Sequence, residues 1–583
     1  MKKFINASED VAREALEGFA ACFSERYRLH DEVNGVLLRR PRDHKVSLVV
    51  GGGSGHEPMF SGFVGTGLAD AAACGNIFAS PDPGTIFQTA RAVEGGKGVL
   101  FVYGNYAGDN LNFDMAGELL QKEGIPTAHV RVWDDCASAP AERMTDRRGI
   151  AGDVFVIKIA GAACDAGLEL EEAARVAGQA RNNLRSIGVA VSSAHIPGAA
   201  EPIFELAGDE MEYGMGIHGE KGIRRTKMQP ADEVAEYLYD ALQKDRPLKA
   251  GDEVCVLVNG LGSTTLLELS IVYRTLQRLL VRDGIVIHSS DMNSYCTTLE
   301  MGGLSVSVLL LDEELKRFFD APCASPFYTR GCCQEEFPVE TEREILTGTG
   351  KRRTYNPAAG REYIEAQAAK EWETLDFSVA KAMLLSVAEA VVEAEPMLTK
   401  VDSAIGDGDH GIGMKTGLKT AHAELMRLPE GNNVYEPFFV VGNAMLMSMG
   451  GASGAIFGSM FMGGAEGKAP RERLRSEELA ALMEDALRAV RKRGHAQVGD
   501  KTMVDALSPA VDAMKANAEK GLAVMLRAAE AAARAGMEST KRFEAKFGRA
   551  KTQGTTIGFQ DAGATSVWVM LKAMADFAER YRK

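Results

Sequence analysis

The chain has 583 residues, 45% hydrophobic and 25% charged, with a formal net charge of −15. That length implies about three to four domains, and the apolar share excludes general disorder. With 81 acidic against 66 basic residues it lacks the basic footprint of a nucleic-acid or anionic-membrane binder.

The nine cysteines include no C-x-x-C pair and imply reduced thiols in the cytoplasm. The stretch 1–20 has no apolar core, so no signal peptide is expected. Val46–Val50, Val99–Tyr103, Val154–Ile159 and Val189–Ser192 predict buried strands, as do Val254–Val258, Ile285–His288 and Leu304–Leu311. Each is short, β-branched and bounded by Gly, Pro or Asp, in the manner of parallel-sheet strands. Their alternation with helical stretches predicts an α/β fold. About 330 residues is large for one core, so two α/β sub-domains are expected, 1–187 and 188–337.

The first strand runs into G-G-G-S-G-H-E-P, which sets His56 at a carboxyl edge where open α/β folds bind ligands. Asp109 follows Val99–Tyr103 through G-N-Y-A-G-D, and a His and an Asp converging there could share acid–base work. His218 lies among glycines in E-Y-G-M-G-I-H-G-E-K-G, a segment that suits a structural histidine and a ligand-contacting one equally.

Residues 338–365 are polar and predict a linker. Beyond it, helical faces such as Val379, Met383, Val387 and Val391, or Leu479, Leu482, Leu487 and Val490, predict an all-α domain over 366–583. The uncharged stretch Pro437–Ala465 is long enough for a bilayer, but its G-G-A-S-G would interrupt a spanning helix. Two buried helices joined by a turn are expected, and no membrane partner.

Within that domain, V-D-S-A-I-G-D-G-D-H-G-I-G-M puts Asp402, Asp407 and Asp409 within eight residues. Carboxylates that close repel unless a cation lies between them, and all-oxygen donors suit Mg²⁺ or Ca²⁺. The spacing is not that of an EF-hand. Mg²⁺ normally completes its shell with water and phosphate, so a Mg-nucleotide site is expected. Gly450–Gly454, Gly499–Asp505 and Asp561–Ser566 add loops able to approach phosphate. No Walker A or protein-kinase signature is present.

Seven segments, in order, carry a resemblance: G-G-G-S-G-H-E-P-M, C-G-N-I-F-A-S-P, N-Y-A-G-D, G-M-G-I-H-G-E, D-S-A-I-G-D-G-D-H-G, G-G-A-S-G and G-D-K-T-M. Together the chain resembles the dihydroxyacetone kinases in their single-chain, two-part form. The resemblance implies a ketose-binding α/β part followed by a helical-barrel nucleotide domain. It implies that His218 captures the ketose carbonyl as a hemiaminal and that His56 and Asp109 form the acid–base pair. Gly53, Ser54 and Gly55 match the substrate loop. Asp402, Asp407 and Asp409 match the aspartates that hold two Mg²⁺ ions on ATP. His410, Gly411, Ile412, Gly413, Ala452, Ser453, Gly494, Thr502, Met503, Arg549, Asp561, Ala562 and Gly563 match the nucleotide contacts. A homodimer is implied as well.

Two departures stand out. Many dihydroxyacetone-specific members carry Lys shortly before N-Y-x-G-D, where this chain has Tyr103-Gly104-Asn105, which predicts a four-carbon ketose such as erythrulose. Gly413 stands where some relatives place Asn. The alternatives are a phosphoenolpyruvate-coupled phosphotransfer unit, a non-enzymatic ketose sensor, and a lyase side activity that cleaves FAD with cyclisation.

Overall fold

The computed structural model describes residues 2–199, 201–331, 355–368, 374–406, 408–548 and 555–580. The chain divides into two compact units, Met1–Gly350 and Lys351–Lys583.

The first unit holds two six-stranded sheets. One is built from β1 (Tyr27–Leu29), β2 (Gly35–Leu38), β3 (Ser47–Ser54), β4 (Ala71–Ile77), β5 (Val99–Gly104) and β6 (Thr127–Val132), in the order β1-β2-β4-β3-β5-β6. From β4 to β6 the pairing is parallel. β3 is buried along its whole length, so between its terminal serines its sequence is apolar or glycine instead of alternating. β4, A-A-A-C-G-N-I, escapes prediction because alanine and glycine carry little strand propensity.

The second sheet is built from β7 (Leu184–Ser192), β8 (Glu210–Tyr213), β9 (Arg224–Lys227), β10 (Glu253–Gly260), β11 (Val286–Asn293) and β12 (Gly302–Leu310). Its order is β11-β10-β12-β7-β8-β9. Only β10 and β11 pair in parallel, which corrects the all-parallel expectation. The central strands are covered on both faces, by one core around Val256, Val306 and Leu276 and another around Leu257, Leu309 and Phe318. Their apolar runs are therefore continuous whichever way the strands point.

Val154–Ile159 is also corrected. It lies in the helix Asp153–Asp165, buried on every side as far as Cys164. A fully buried helix shows no period, so a short window of it matches a strand. The expected sub-domain boundary at 187/188 falls inside β7, which pairs with β12 from Leu184 onward.

In the second unit, the helix Pro357–Ala368 overlaps the expected linker, because Ile364 packs into the helical core; residues 338–354 lie outside the described residues. Eight helices form a ring: Phe377–Glu393, His410–Arg427, Glu436–Leu446, Gly451–Ala465, Ser476–Gly494, Val504–Asn517, Leu522–Ser539 and Ala562–Arg580. Each packs on the next, and the last packs on the first. The uncharged stretch 437–465 forms two of these helices, with the turn at Met447–Gly450. No helix among the described residues is long and apolar enough to cross a membrane. The space inside the ring is lined by apolar side chains such as Phe438, Met460, Leu482 and Met574, so polar chemistry belongs at the ring's ends.

Candidate active site

In the first unit the glycine loop at the end of β3 exists because backbones meet there. A Cβ on Gly51 would stand 2.4 Å from the Ala73 carbonyl, and one on Gly53 would stand 2.9 Å from Phe78 Cα. The Ser54 hydroxyl donates to the Gly75 carbonyl, and Gly55 turns the chain at φ +98°. The loop delivers His56 into the interior, 2% exposed, with its ring stacked on Phe78.

His56 Nδ1 lies 2.6 Å from the Thr297 carbonyl, which fixes that nitrogen as the donor. His56 Nε2 lies 3.1 Å from His218 Nε2. His218 in turn sets its Nδ1 3.2 Å from Glu220 Oε1 and donates its backbone N–H to Glu220 Oε2. Burial opposes the charge on Glu220, but the His218 imidazole and the Arg148 guanidinium outweigh it. Together they hold the carboxyl well below the usual range. Arg148 is fixed by a 2.7 Å ion pair to Asp135. With both Nδ1 atoms donating, the Nε2···Nε2 contact requires one further proton, so the two rings share it.

Asp109 stands buried in the first turn of the helix Ala107–Lys122. Tyr106, which caps that helix, meets the His218 ring edge-on at 4.7 Å. The charge of Asp109 is felt at Asp153, whose carboxyl is driven well above the usual range by burial and by Asp134 and Asp109. Asp153 begins its own helix, where the dipole favours an anion by about 0.3–1 kcal/mol. Full burial of a charge outweighs that several-fold. Gly53, Ser54, Gly55, His56 and His218 thus come together, with Asp109 on the neighbouring helix start.

In the second unit, Asp402 ends the helix Glu395–Asp402, and its carboxylate accepts from the N–H groups of Gly408 and His410. Asp409 precedes the helix His410–Arg427; burial and the charge of Asp402 raise it to about 7. His410 Nδ1 lies 3.3 Å from Ser453 Oγ, and its Nε2 lies 2.8 Å from Ser566 Oγ. A Cβ on Gly563 would lie 3.4 Å from Met503 Cβ. These contacts bring four helix N-termini to one end of the ring, those at His410, Gly451, Val504 and Ala562. Each carries the partial positive charge of a helix N-terminus, which suits phosphate.

Asp561 caps the last of these helices through the Ala564 N–H. Burial, reinforced by Asp505 and Asp402 against that N–H, raises it to about 7. Asp505 accepts from the Gly499 and Thr502 N–H groups, fixing the G-D-K-T-M loop. Lys501 donates to the Thr540 and Phe559 carbonyls and is lowered by burial. Gly494 ends its helix within reach of Ile456, one turn beyond Ala452 and Ser453. Gly411 packs against Thr399, Gly413 has room up to Met449, and Ile412 is exposed. Asp407 and Arg549 lie outside the described residues.

Among the described residues no three His, Cys, Asp or Glu side chains are grouped to hold a metal ion. Asp402 and Asp409 nonetheless fit a hard divalent cation. Both offer oxygen donors, and the penalty visible at Asp409 is one that a cation between them relieves.

Residues 17–327 match the Dak1 domain, and residues 404–576 match the DAK2 domain. The chain belongs to the dihydroxyacetone kinase family. It is 35% identical over 592 residues to L-erythrulose 1-kinase of Mycolicibacterium smegmatis, covering 100% of both chains. It is 37% identical over 591 residues to L-erythrulose kinase of Pectobacterium atrosepticum, covering 99% of this chain and 96% of the relative. To triokinase/FMN cyclase of Homo sapiens it is 34% identical over 594 residues, covering 99% of each. The crystal structure of the dihydroxyacetone kinase from C. freundii in complex with AMP-PNP and Mg²⁺ matches 99% of both chains, at TM-score 0.53 and 27% identity.

Several side chains of the candidate site escape the sequence reading. Glu220 stands in plain sight two residues after His218, but only the fold shows its carboxylate turned back on the ring. Arg148 and Thr297 lie in segments with no motif and reach Glu220 and His56, respectively, through tertiary contact alone. Asp505 is the last residue of the quoted G-D-K-T-M-V-D run, and its pairing with two loop N–H groups is the signal that G-D turn chemistry hides.

Proposed function

We propose that the chain uses ATP to phosphorylate a hydroxyl of a short-chain ketose that His218 holds through its carbonyl carbon. The observation that carries this reading is the Glu220–His218–His56 chain, which turns the Nε2 lone pair of a carboxylate-oriented imidazole toward a proton donor. In the capture step, His218 Nε2 adds to the carbonyl carbon and the π pair moves to oxygen. That oxygen takes the proton shared by the two rings. The imidazolium so formed keeps its Nδ1–H on Glu220, whose negative charge offsets it. A small sugar offers little surface, so a covalent hold fixes its orientation and rejects polyols, which lack the electrophile.

Asp109 then accepts the proton of the attacking hydroxyl, assisted by His56. At the helical end, the four N-termini with Ser453, Thr502 and Asp561 bind and orient the nucleotide phosphates. Two Mg²⁺ ions at Asp402, Asp407 and Asp409 would supply neutralisation of phosphate charge when bound. Gly104 supports a four-carbon ketose, as do the two relatives named L-erythrulose kinases. A second reading, cyclising cleavage of a flavin nucleotide at the same helical end, has support from the relatives named triokinase/FMN cyclase.

The reading includes a cytoplasmic homodimer. Seven cysteines among the described residues form no disulfide. The edge strand β11 is partly exposed on both faces beside exposed Leu266, Leu267 and Ile271, an edge that a second copy would cover. The test is ADP release from Mg-ATP with dihydroxyacetone, both erythrulose enantiomers, glyceraldehyde and glycerol. Turnover of the ketones with none on glycerol is expected, and equal turnover of glycerol contradicts carbonyl capture.

A further inference from the structure

Beside the histidine pair lies a carboxyl that the steps above do not use. Asp153 is 4% exposed, and its Oδ1 is buried without a hydrogen-bond partner. An unpaired buried polar atom is costly, and in a native site it signals a group that a ligand completes. Its neighbour Asp134 is already satisfied by the Ile150 and Gly152 N–H groups, so it does not compete for a ligand.

The other carboxyl oxygen of Asp153, Oδ2, faces Gly104. A Cβ built on Gly104 would stand 3.4 Å from Asp153 Oδ2 and 3.2 Å from the ring of Tyr106. Tyr106 is the residue whose ring edge contacts His218. Residue 104 thus sets bare backbone against both Asp153 and Tyr106, where even a methyl group would be a close fit. Asp109, at the other side of the same helix start, acts electrostatically on Asp153 and so lies close by.

We propose that Asp153 is a substrate-binding residue, whose carboxyl holds the hydroxyl on the carbon that a four-carbon ketose carries beyond dihydroxyacetone, on the side of the site where residue 104 has no side chain. Burial and the charges of Asp134 and Asp109 push the carboxyl well above its usual range and so favour its neutral form. A neutral carboxyl offers one donor and one acceptor, which matches the donor and acceptor of a hydroxyl. It also adds no negative charge beside Asp109, which must itself accept a proton. The proposal deepens the ketose reading and rests on it.

The test compares KM and kcat for erythrulose and dihydroxyacetone in the full-length wild type and in three variants. Asp153→Leu removes the donor and acceptor. Gly104→Ala sets a methyl group against Asp153 and Tyr106, with contacts that need to give by only a few tenths of an ångström. Asp153→Asn keeps both hydrogen-bonding functions at nearly the same shape. Asp153→Leu and Gly104→Ala are expected to raise KM for erythrulose about tenfold, with KM for dihydroxyacetone changed less than about threefold and kcat nearly constant. Asp153→Asn is expected to stay within about threefold of wild type for both substrates. Equal shifts for the two ketoses, or none, in Gly104→Ala and in whichever Asp153 variant folds overturn the proposal and leave the kinase reading standing. So does a wild type that phosphorylates dihydroxyacetone but not erythrulose. A wild type inactive on every ketose refutes the kinase reading itself.

Discussion

Glu220 shows how one side chain sets the chemistry of another. Its carboxylate accepts from the His218 backbone and faces the His218 ring, so it fixes the Nδ1–H tautomer and leaves Nε2 to react. Glu220→Gln keeps the shape but loses the charge that offsets an imidazolium. The kcat for ketose is expected to fall about a hundredfold, while KM for Mg-ATP stays unchanged, as steady-state kinetics will read. The same carboxyl makes a pH prediction. Its folded value lies below its unfolded value of about 4.3. The stability it confers is therefore complete above that pH and disappears as the pH falls through the folded value. Denaturant melts of wild type and Glu220→Gln should differ by the full amount near neutrality and draw together only as the pH falls from about 4 toward the folded value. An equal difference at all pH values would remove the charge from this account.

At the scale of elements, the ring of helices depends on close crossings. A Cβ on Gly536 would stand 2.1 Å from the Asp505 carbonyl, where the helices Val504–Asn517 and Leu522–Ser539 meet. Backbone cannot yield as a flexible side chain can, so Gly536→Ala should cost about 1–3 kcal/mol through overpacking. At about 2–4 °C per kcal/mol, this is a drop of several degrees in the melting of the helical unit. This scale also shows what the sequence discloses and what it hides. Amphipathic helices such as Ser476–Gly494 are legible because one face meets water and the period survives. The helix Asp153–Asp165 is not, because every face is buried and its V-F-V-I-K-I run imitates a strand. The pair His56 and Gly53–Gly55 is legible from a strand entering glycines. The contacts of Thr297 with His56 and of Arg148 with Glu220 span 241 and 72 residues of chain, and no local pattern encodes them. Asp153 is hidden for both reasons: it sits in the misread segment, and its significance lies in what it lacks.

For the whole molecule, each core cluster among the described residues lies within one unit: the helical core from Ile364 onward, the others before residue 329. Calorimetry of the full chain is expected to show two transitions. Mg-AMP-PNP at a hundred times its Kd should raise the helical one by about 2.7 kcal/mol, and a ketose should raise the other. The proposed mechanism joins a carbonyl-reading pair and an anion-binding helix end in one chain. The most direct test of that pairing follows the ketose carbonyl itself by carbon-13 NMR, with carbonyl-labelled dihydroxyacetone on wild type and on His218→Ala. The carbon should leave the carbonyl region for the tetrahedral region on wild type and remain a carbonyl on the variant. A bound ketose whose carbonyl signal persists on wild type would contradict capture by His218.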